Sequence, residues 1–103
     1  MVIAERLYTS SKVLPKEEQY GLVSQIRRAA VSVPANVSEG YGRNNRGEYV
    51  HFLGIAKGSN CELTTLLLLA ERVFPDAAFE WERDNVIRVE KMLTKLILAL
   101  RPK

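Results

Sequence analysis

Apolar residues recur at the spacing of an α-helix in three long segments, and Pro or Gly separates each segment from the next. No segment alternates with period two for long enough to make a strand. The segments are Pro15 to about Gly42, about Glu48 to Arg72, and about Glu80 to Leu100, after a short stretch from Val2 to Lys12. The sequence therefore predicts an all-α, antiparallel up-down four-helix bundle with a short first helix, as a single domain over residues 1–103.

The scarcity of Cys and His limits the disulfides, metal sites and catalytic units that the chain can form. The chain has one cysteine, Cys61, and one histidine, His51, so an internal disulfide is excluded. A zinc site and a Cys-His or Ser-His catalytic unit are both disfavoured. We therefore predict a non-enzymatic protein with no catalytic residues, no metal site and no cofactor.

Membrane insertion and secretion are also disfavoured. The N-terminus lacks a basic region followed by a long apolar run, so it does not resemble a secretory signal. The longest apolar region, Phe52 to Ala70, is interrupted by Lys57, Asn60 and Glu62, which argues against a membrane span. We expect a cytoplasmic protein without membrane contact.

A second face of the middle helices is unusual because it carries small residues where an exposed face normally carries long charged ones. Between Val50 and Ala70 the only charged residues are Lys57 and Glu62. A helix that is small or apolar on every side is normally buried on every side, which favours a homo-oligomer. The alternative is a monomer that tolerates a loosely covered face. The predicted close-packing face consists of Gly21, Ser24, Ala35, Gly54, Gly58, Cys61 and Thr65.

Polar residues recur at helical spacing beside that face. If the second and third helices are antiparallel across the turn at residues 44–47, Ser32 lies near Gly58 or Ser59, and Arg28 pairs with Glu62 in a buried contact. We interpret the set as a structural network, since no chain of nucleophile, base and orienting group accompanies it. The alternative is an active site with Glu39 or Glu62 as acid or base. The set is Arg28, Ser32, Asn36, Glu39, Ser59 and Glu62.

Basic residues collect at two places and favour an anionic partner. The chain has a net charge of +3, and the segment from Arg83 to Lys103 holds six basic and two acidic residues. Basic side chains bind phosphates, and aromatic rings beside them stack on bases. An oligomer repeats each such patch in every copy. Solvated helix faces are the alternative explanation. The candidate nucleic-acid contacts are Arg43, Arg46, Arg88, Lys91 and Lys95.

Two stretches of sequence carry a family resemblance. Residues 14–22 and 24–43, the latter reading SQIRRAAVSVPANVSEGYGR, resemble the helical proteins encoded by intervening sequences inside bacterial 23S ribosomal RNA genes. The pairs Glu48-Tyr49, Phe52-Leu53 and Glu62-Leu63, with residues 55–59, are similar to the third helix of that family. The resemblance covers most of residues 7 to 100.

This resemblance implies a four-helix bundle that assembles into five-fold rings and brings no catalytic residues with it. The fold is also similar to that of the accessory protein of diversity-generating retroelements, a basic ring that binds nucleic acid and a reverse transcriptase. By this analogy we predict a homo-oligomer, favouring a pentamer, that binds RNA or DNA. The alternative is a structural scaffold that binds a protein partner without touching nucleic acid.

Overall fold

The computed structural model describes residues 1–101, and in this part of the chain every regular element is helical. The prediction of an all-α bundle of four helices is confirmed, and the first helix is short, as expected. Two single 3-10 turns, Ser11–Val13 and Lys16–Glu18, join the first helix to the second. The helices are α1 (Val2–Ser10), α2 (Leu22–Gly42), α3 (Arg46–Val73) and α4 (Glu80–Leu100).

The prediction that the second helix begins at Pro15 is wrong. Lys16–Glu18 forms a separate 3-10 turn, and Gly21 adopts non-helical angles (φ −102°, ψ −104°) immediately before α2. The Glu18 carboxylate accepts a hydrogen bond from the backbone N–H of Leu22 at 3.3 Å. The first amide groups of a helix have no partner within the helix, and Glu18 provides a hydrogen-bond acceptor for one of them.

Successive long helices run antiparallel. Between α2 and α3, Gly40 lies against Phe52 near the turn, and Ser32 meets Ser59 further along. Asn45 begins α3 by accepting a hydrogen bond from Glu48 N–H at 3.0 Å, which is the usual role of an Asn before a helix. The bundle is elongated, with principal extents of 46 × 21 × 18 Å.

The bundle has two distinct ends. We call the end at residues 43–45 the turn end; Leu100 packs in the same cluster as Tyr49 and Val50, so α4 finishes there. We call the opposite end the loop end; there Glu71, close to the end of α3, meets Arg83 of α4. Arg27 of α2 reaches Tyr8 of α1 on the same side.

Two apolar clusters fill the bundle. The larger joins α1, α2, α3 and the start of α4 around the fully buried Phe79, Ile26 and Leu67. The smaller lies toward the turn end and contains Leu53, Ala56, Leu93 and Ile97. None of the helices in residues 1–101 is long and apolar enough to cross a bilayer.

Candidate binding surfaces

A polar seam follows the contact between α2 and α3. The Ser32 and Ser59 hydroxyls share a hydrogen bond at 2.8 Å. The Asn36 amide donates to the Ser32 carbonyl at 2.8 Å and to the Ser32 hydroxyl at 2.9 Å. These three side chains form a continuous network, in the register that the position of the turn predicts. Because the hydrogen-bond partners of these three side chains all lie within the bundle, the seam holds α2 and α3 in register.

The predicted buried pair of Arg28 and Glu62 is wrong. Both side chains are exposed, and the two ion pairs within residues 1–101 involve other residues. Arg28 and Glu62 instead line an open cavity of about 270 Å³ above the Ser32–Ser59 contact. In water a separated pair of long side chains loses little, because an exposed ion pair contributes only about 0–1 kcal/mol.

Glu39 also lies apart from the network in which sequence reasoning placed it. Its carboxylate pairs with Arg43 one helical turn away, at 2.7 Å, and about half of each side chain is exposed. The Arg43 guanidinium lies 5.1 Å from the centre of the Phe52 ring. Arg43 is therefore already partnered, which weakens it as a phosphate contact and leaves Arg46 as the exposed cation of the turn.

The side of α3 that faces away from the bundle is made of small and apolar residues. A Cβ atom built on Gly54 or Gly58 meets no atom within 4 Å. Leu68 is 45% exposed and Leu69 48% exposed. We call this surface the outer face of α3, and it consists of Gly54, Gly58, Cys61, Thr65, Leu68 and Leu69.

The rest of the predicted close-packing face is mixed. Ala35 is exposed and Ser24 is half-buried. Gly21 precedes α2 and packs near Glu18, so it lies on no helix face. The face is therefore centred on α3, and α2 adds less to it than the wheel predicts.

Cys61 is exposed on the outer face of α3. Its thiol donates a hydrogen bond to the Glu90 carboxylate of α4 at 2.9 Å. That hydrogen bond, with partial burial and the negative charge of Glu90, raises the pKa of the Cys61 thiol. The contact also turns Glu90 toward α3 and away from the opposite side of α4.

That opposite side of α4 carries a row of cations. Arg88, Lys91 and Lys95 are exposed, and neither ion pair in the described part of the chain involves them. Their spacing of three and four residues keeps them on one side of the helix, over about 10 Å of its length. Of the five predicted nucleic-acid contacts, these three form one continuous surface, and Arg46 lies separately at the turn.

Several residues that organise the loop end were not predicted from the sequence. Glu71 pairs with Arg83 and accepts a hydrogen bond from the Phe79 N–H at 3.4 Å, which ties the loop between α3 and α4 to the helix that follows. Arg27 donates to the Tyr8 carbonyl at 2.8 Å. Neither contact has a local sequence signal, since each joins residues that meet only after the helices have packed.

A deeply buried amide was also missed. Asn60 is 1% exposed and donates from its side chain to the Val86 carbonyl at 2.8 Å, joining α3 to α4. The signal was present, because a helical wheel puts position 60 on the same side as Leu53 and Leu67. A polar residue in an apolar stripe normally has a partner on a neighbouring helix.

Comparison with known proteins decides the family. The chain matches the family described as 23S rRNA-intervening sequence protein over residues 1–95. The chain belongs to this family. No catalytic activity is known for the 23S rRNA-intervening sequence proteins, and residues 1–101 contain no group of three or more His, Cys, Asp or Glu placed to hold a metal ion. None of the curated proteins compared matches the chain significantly.

Family membership covers every candidate surface described above. The matched region reaches Lys95, the last cation of the row on α4, and includes the polar seam and the outer face of α3. The resemblance based on the central motif is thereby confirmed.

Proposed function

We propose that the chain forms a cyclic homo-oligomer through the outer face of α3, and that this assembly binds nucleic acid through α4. The observation that carries the proposal is the row of Arg88, Lys91 and Lys95, three exposed cations with no ion-pair partner among the described residues. An unneutralised row on a rigid helix is suited to a polyanion.

The charges around the row support this assignment. Glu90, the acidic residue nearest in sequence to Lys91, accepts from the Cys61 thiol and faces α3. The acidic residues Glu80, Glu82 and Asp84 lie in the first turns of α4, toward the loop end. The cations lie beyond these acidic residues, between Arg88 and Lys95, and Asp84 is one helical turn before Arg88.

Self-association follows from the outer face of α3. Packing within a single copy does not require glycine at these positions, because a Cβ atom at Gly54 or Gly58 meets nothing within 4 Å. Each glycine in a helix interior costs about 1 kcal/mol relative to alanine. Glycines at these positions allow a second helix to approach closely. The same approach covers the exposed Leu68 and Leu69 and removes apolar surface from water.

Assembly would strengthen nucleic-acid binding. One copy offers three cations in a row, and affinity for a polyanion rises with the number of phosphates neutralised. A ring presents the same row once per copy, so a long strand engages several rows at an effective concentration set by the ring geometry. The family resemblance implies five copies.

Light scattering on a double variant tests the assembly. In Gly54→Gln/Gly58→Gln, the added Cβ atoms meet nothing in a single copy and glutamine favours the helix, but the long side chains block close approach of a second copy. We expect a mass near that of one chain, with helical content unchanged. The matched control is Gly42→Gln, because Gly42 also has open space but lies at the turn end. A wild-type mass of 11.6 kDa, or an unchanged oligomer in the double variant, would contradict this part of the proposal.

Oligonucleotide titrations across a range of salt concentrations test the ligand. We expect Arg88→Gln/Lys91→Gln/Lys95→Gln to weaken binding at least tenfold. For a single strand the slope of log affinity against log salt should fall by about 2, from about 0.7 per lost contact. The control removes the same charge elsewhere, at the exposed residues Lys12, Lys16 and Arg72.

Two results would defeat the nucleic-acid proposal. The first is equal loss of affinity in the α4 variant and in its charge-matched control. The second is the absence of salt-dependent binding to any oligonucleotide, together with nuclease-resistant recovery of one specific protein. The second result would establish the scaffold alternative.

A further inference from the structure

A second surface with aromatic and basic residues lies at the loop end, away from the turn. A cavity of about 370 Å³ opens there between the end of α1 and the beginning of α2. Six residues line it: Tyr8, Gln19, Tyr20, Ser24, Arg27 and Arg28. No acidic residue is among them, and the polar seam and the row on α4 contribute none of the six.

One arginine of the cavity is fixed by its own chain. Arg27 donates to the Tyr8 carbonyl at 2.8 Å and to the Ser11 hydroxyl at 3.2 Å. Its guanidinium also lies 4.7 Å from the centre of the Tyr8 ring. Arg27 and Tyr8 therefore form a rigid, positively charged wall, and one face of the Tyr8 ring is already covered.

The other wall is free. Tyr20 is 95% exposed, although it lies in the short connection before α2. Arg28 is exposed and belongs to neither ion pair of the described residues. Three carboxylates lie nearby: Glu18 accepts from the Leu22 N–H, Glu17 is exposed, and Glu62 lines the neighbouring cavity with Arg28 without forming an ion pair with it. The Tyr20 ring and the Arg28 guanidinium thus line one open cavity, and both are available to contact a ligand.

We infer that this cavity is a second nucleic-acid site, specific for single strands, in which an unpaired base stacks on Tyr20 while Arg28 contacts an adjacent phosphate. Stacking on an exposed tyrosine requires a base whose face is accessible, which a duplex does not offer. This inference rests on the proposed nucleic-acid function, but not on the α4 row being the main contact.

Position supports a separate site. The six lining residues come from α1, from α2 and from the connection before α2, and none comes from α4, which carries the row. Changes at the two places should therefore affect binding free energy additively. The wall opposite Tyr20 also needs no reorganisation, since Arg27 and Tyr8 are already fixed in place.

The experiment compares a twelve-residue oligothymidylate with an abasic strand of equal length and charge. We expect wild-type protein to bind the thymidylate about tenfold more tightly, and Tyr20→Ala to abolish that preference while leaving affinity for the abasic strand unchanged. Tyr20→Phe keeps the ring and should keep the preference. Arg28→Gln should weaken both strands equally and lower the salt slope by about 0.7.

The exposed Tyr41 at the turn end, 76% exposed, is the rival stacking group. If Tyr41→Ala removes the preference for bases and Tyr20→Ala does not, the site is at the turn and the inference is wrong. Retention of the preference in both variants overturns it as well. If no oligonucleotide binds in a salt-dependent way, the proposed function fails first, so the two failures are distinguishable. Equal effects of Tyr20→Ala on duplex and single strand also contradict it.

Discussion

The two sides of α3 differ in what covers them, although both consist of apolar and small residues. Toward the bundle, Leu53, Ala56 and Leu67 are fully buried by α2 and α4. On the outer face, Leu68 and Leu69 remain nearly half exposed. The side that a single copy buries is the richer in leucine and alanine, whereas the outer face combines its leucines with Gly54, Gly58 and Thr65.

Glycines show the same difference in more detail. Gly40 of α2 is buried, and a Cβ there would lie 2.7 Å from the Cβ of Phe52 on α3, closer than real side chains approach. Gly40 thus allows α2 and α3 to meet. Gly58 has open space in front of it. One glycine serves a contact within the chain, and the other has no neighbour within it.

Truncating one leucine on each side of α3 gives the largest expected contrast. Leu67→Ala removes a fully buried side chain and should lower the free energy of unfolding by about 2–5 kcal/mol. Leu69→Ala should change the stability of a single copy by less than about 0.5 kcal/mol, because its side chain is 48% exposed. Urea unfolding at concentrations below self-association measures both. Equal losses would show that the outer face is needed for the fold of one copy.

A glycine substitution gives the next largest effect. We expect Gly40→Ala to cost about 1–3 kcal/mol, since the added methyl group forces α2 and α3 apart at Phe52. Gly42→Ala, two residues later with nothing within 4 Å, should be neutral or stabilising. Thermal unfolding of the pair measures this. A harmless Gly40→Ala would mean that the two helices can separate at the turn end without cost.

The polar seam should contribute less. Ser59→Ala removes the hydrogen bond to Ser32, and we expect a loss of about 0.5–1.5 kcal/mol in unfolding free energy. Thr65→Ala is a suitable control, because Thr65 is exposed and donates only to the Cys61 carbonyl of its own helix. A similar loss in both variants would remove the special role of the seam.

The smallest effect concerns the thiol on the outer face. Glu90 raises the pKa of Cys61, so less thiolate is present at a given pH than for an ordinary thiol. Glu90→Gln should lower that pKa and speed the reaction with a thiol reagent at about pH 8, near the ordinary pKa. The two rates should converge once the pH exceeds both pKa values. A slower reaction in the variant would contradict the assigned cause.

Sequence reasoning recovered the parts of the fold that depend on local pattern. The range of α4 matches the expectation at both ends. The turn before α3 contains Asn44 and Asn45 as expected, but α3 begins at Arg46, so Arg46 and Gly47 belong to the helix and not to the turn. The pairing of Ser32 with Ser59 follows from counting away from that turn. Helical period and turn composition are encoded within a few residues, so a single sequence displays them.

What sequence reasoning missed depends on distance in the folded chain. Arg28 and Glu62 lie across the same cavity, yet nothing in their spacing reveals that water separates them. Arg43 has a partner because Glu39 is one turn away, a pairing that the i,i+4 rule could have identified. The clasp of Arg27 on Tyr8 joins residues 19 positions apart and needs the finished bundle.

Asn60 restricts how the finished bundle can move. Val86 lies inside α4, so its carbonyl already accepts an amide of its own helix and gives Asn60 its second lone pair. Sliding α3 along α4 by half a helical turn, about 2.7 Å, would pull the carboxamide away from this carbonyl and leave it among leucines without a partner. The Asn60–Val86 hydrogen bond therefore resists any shift in the register of α3 against α4.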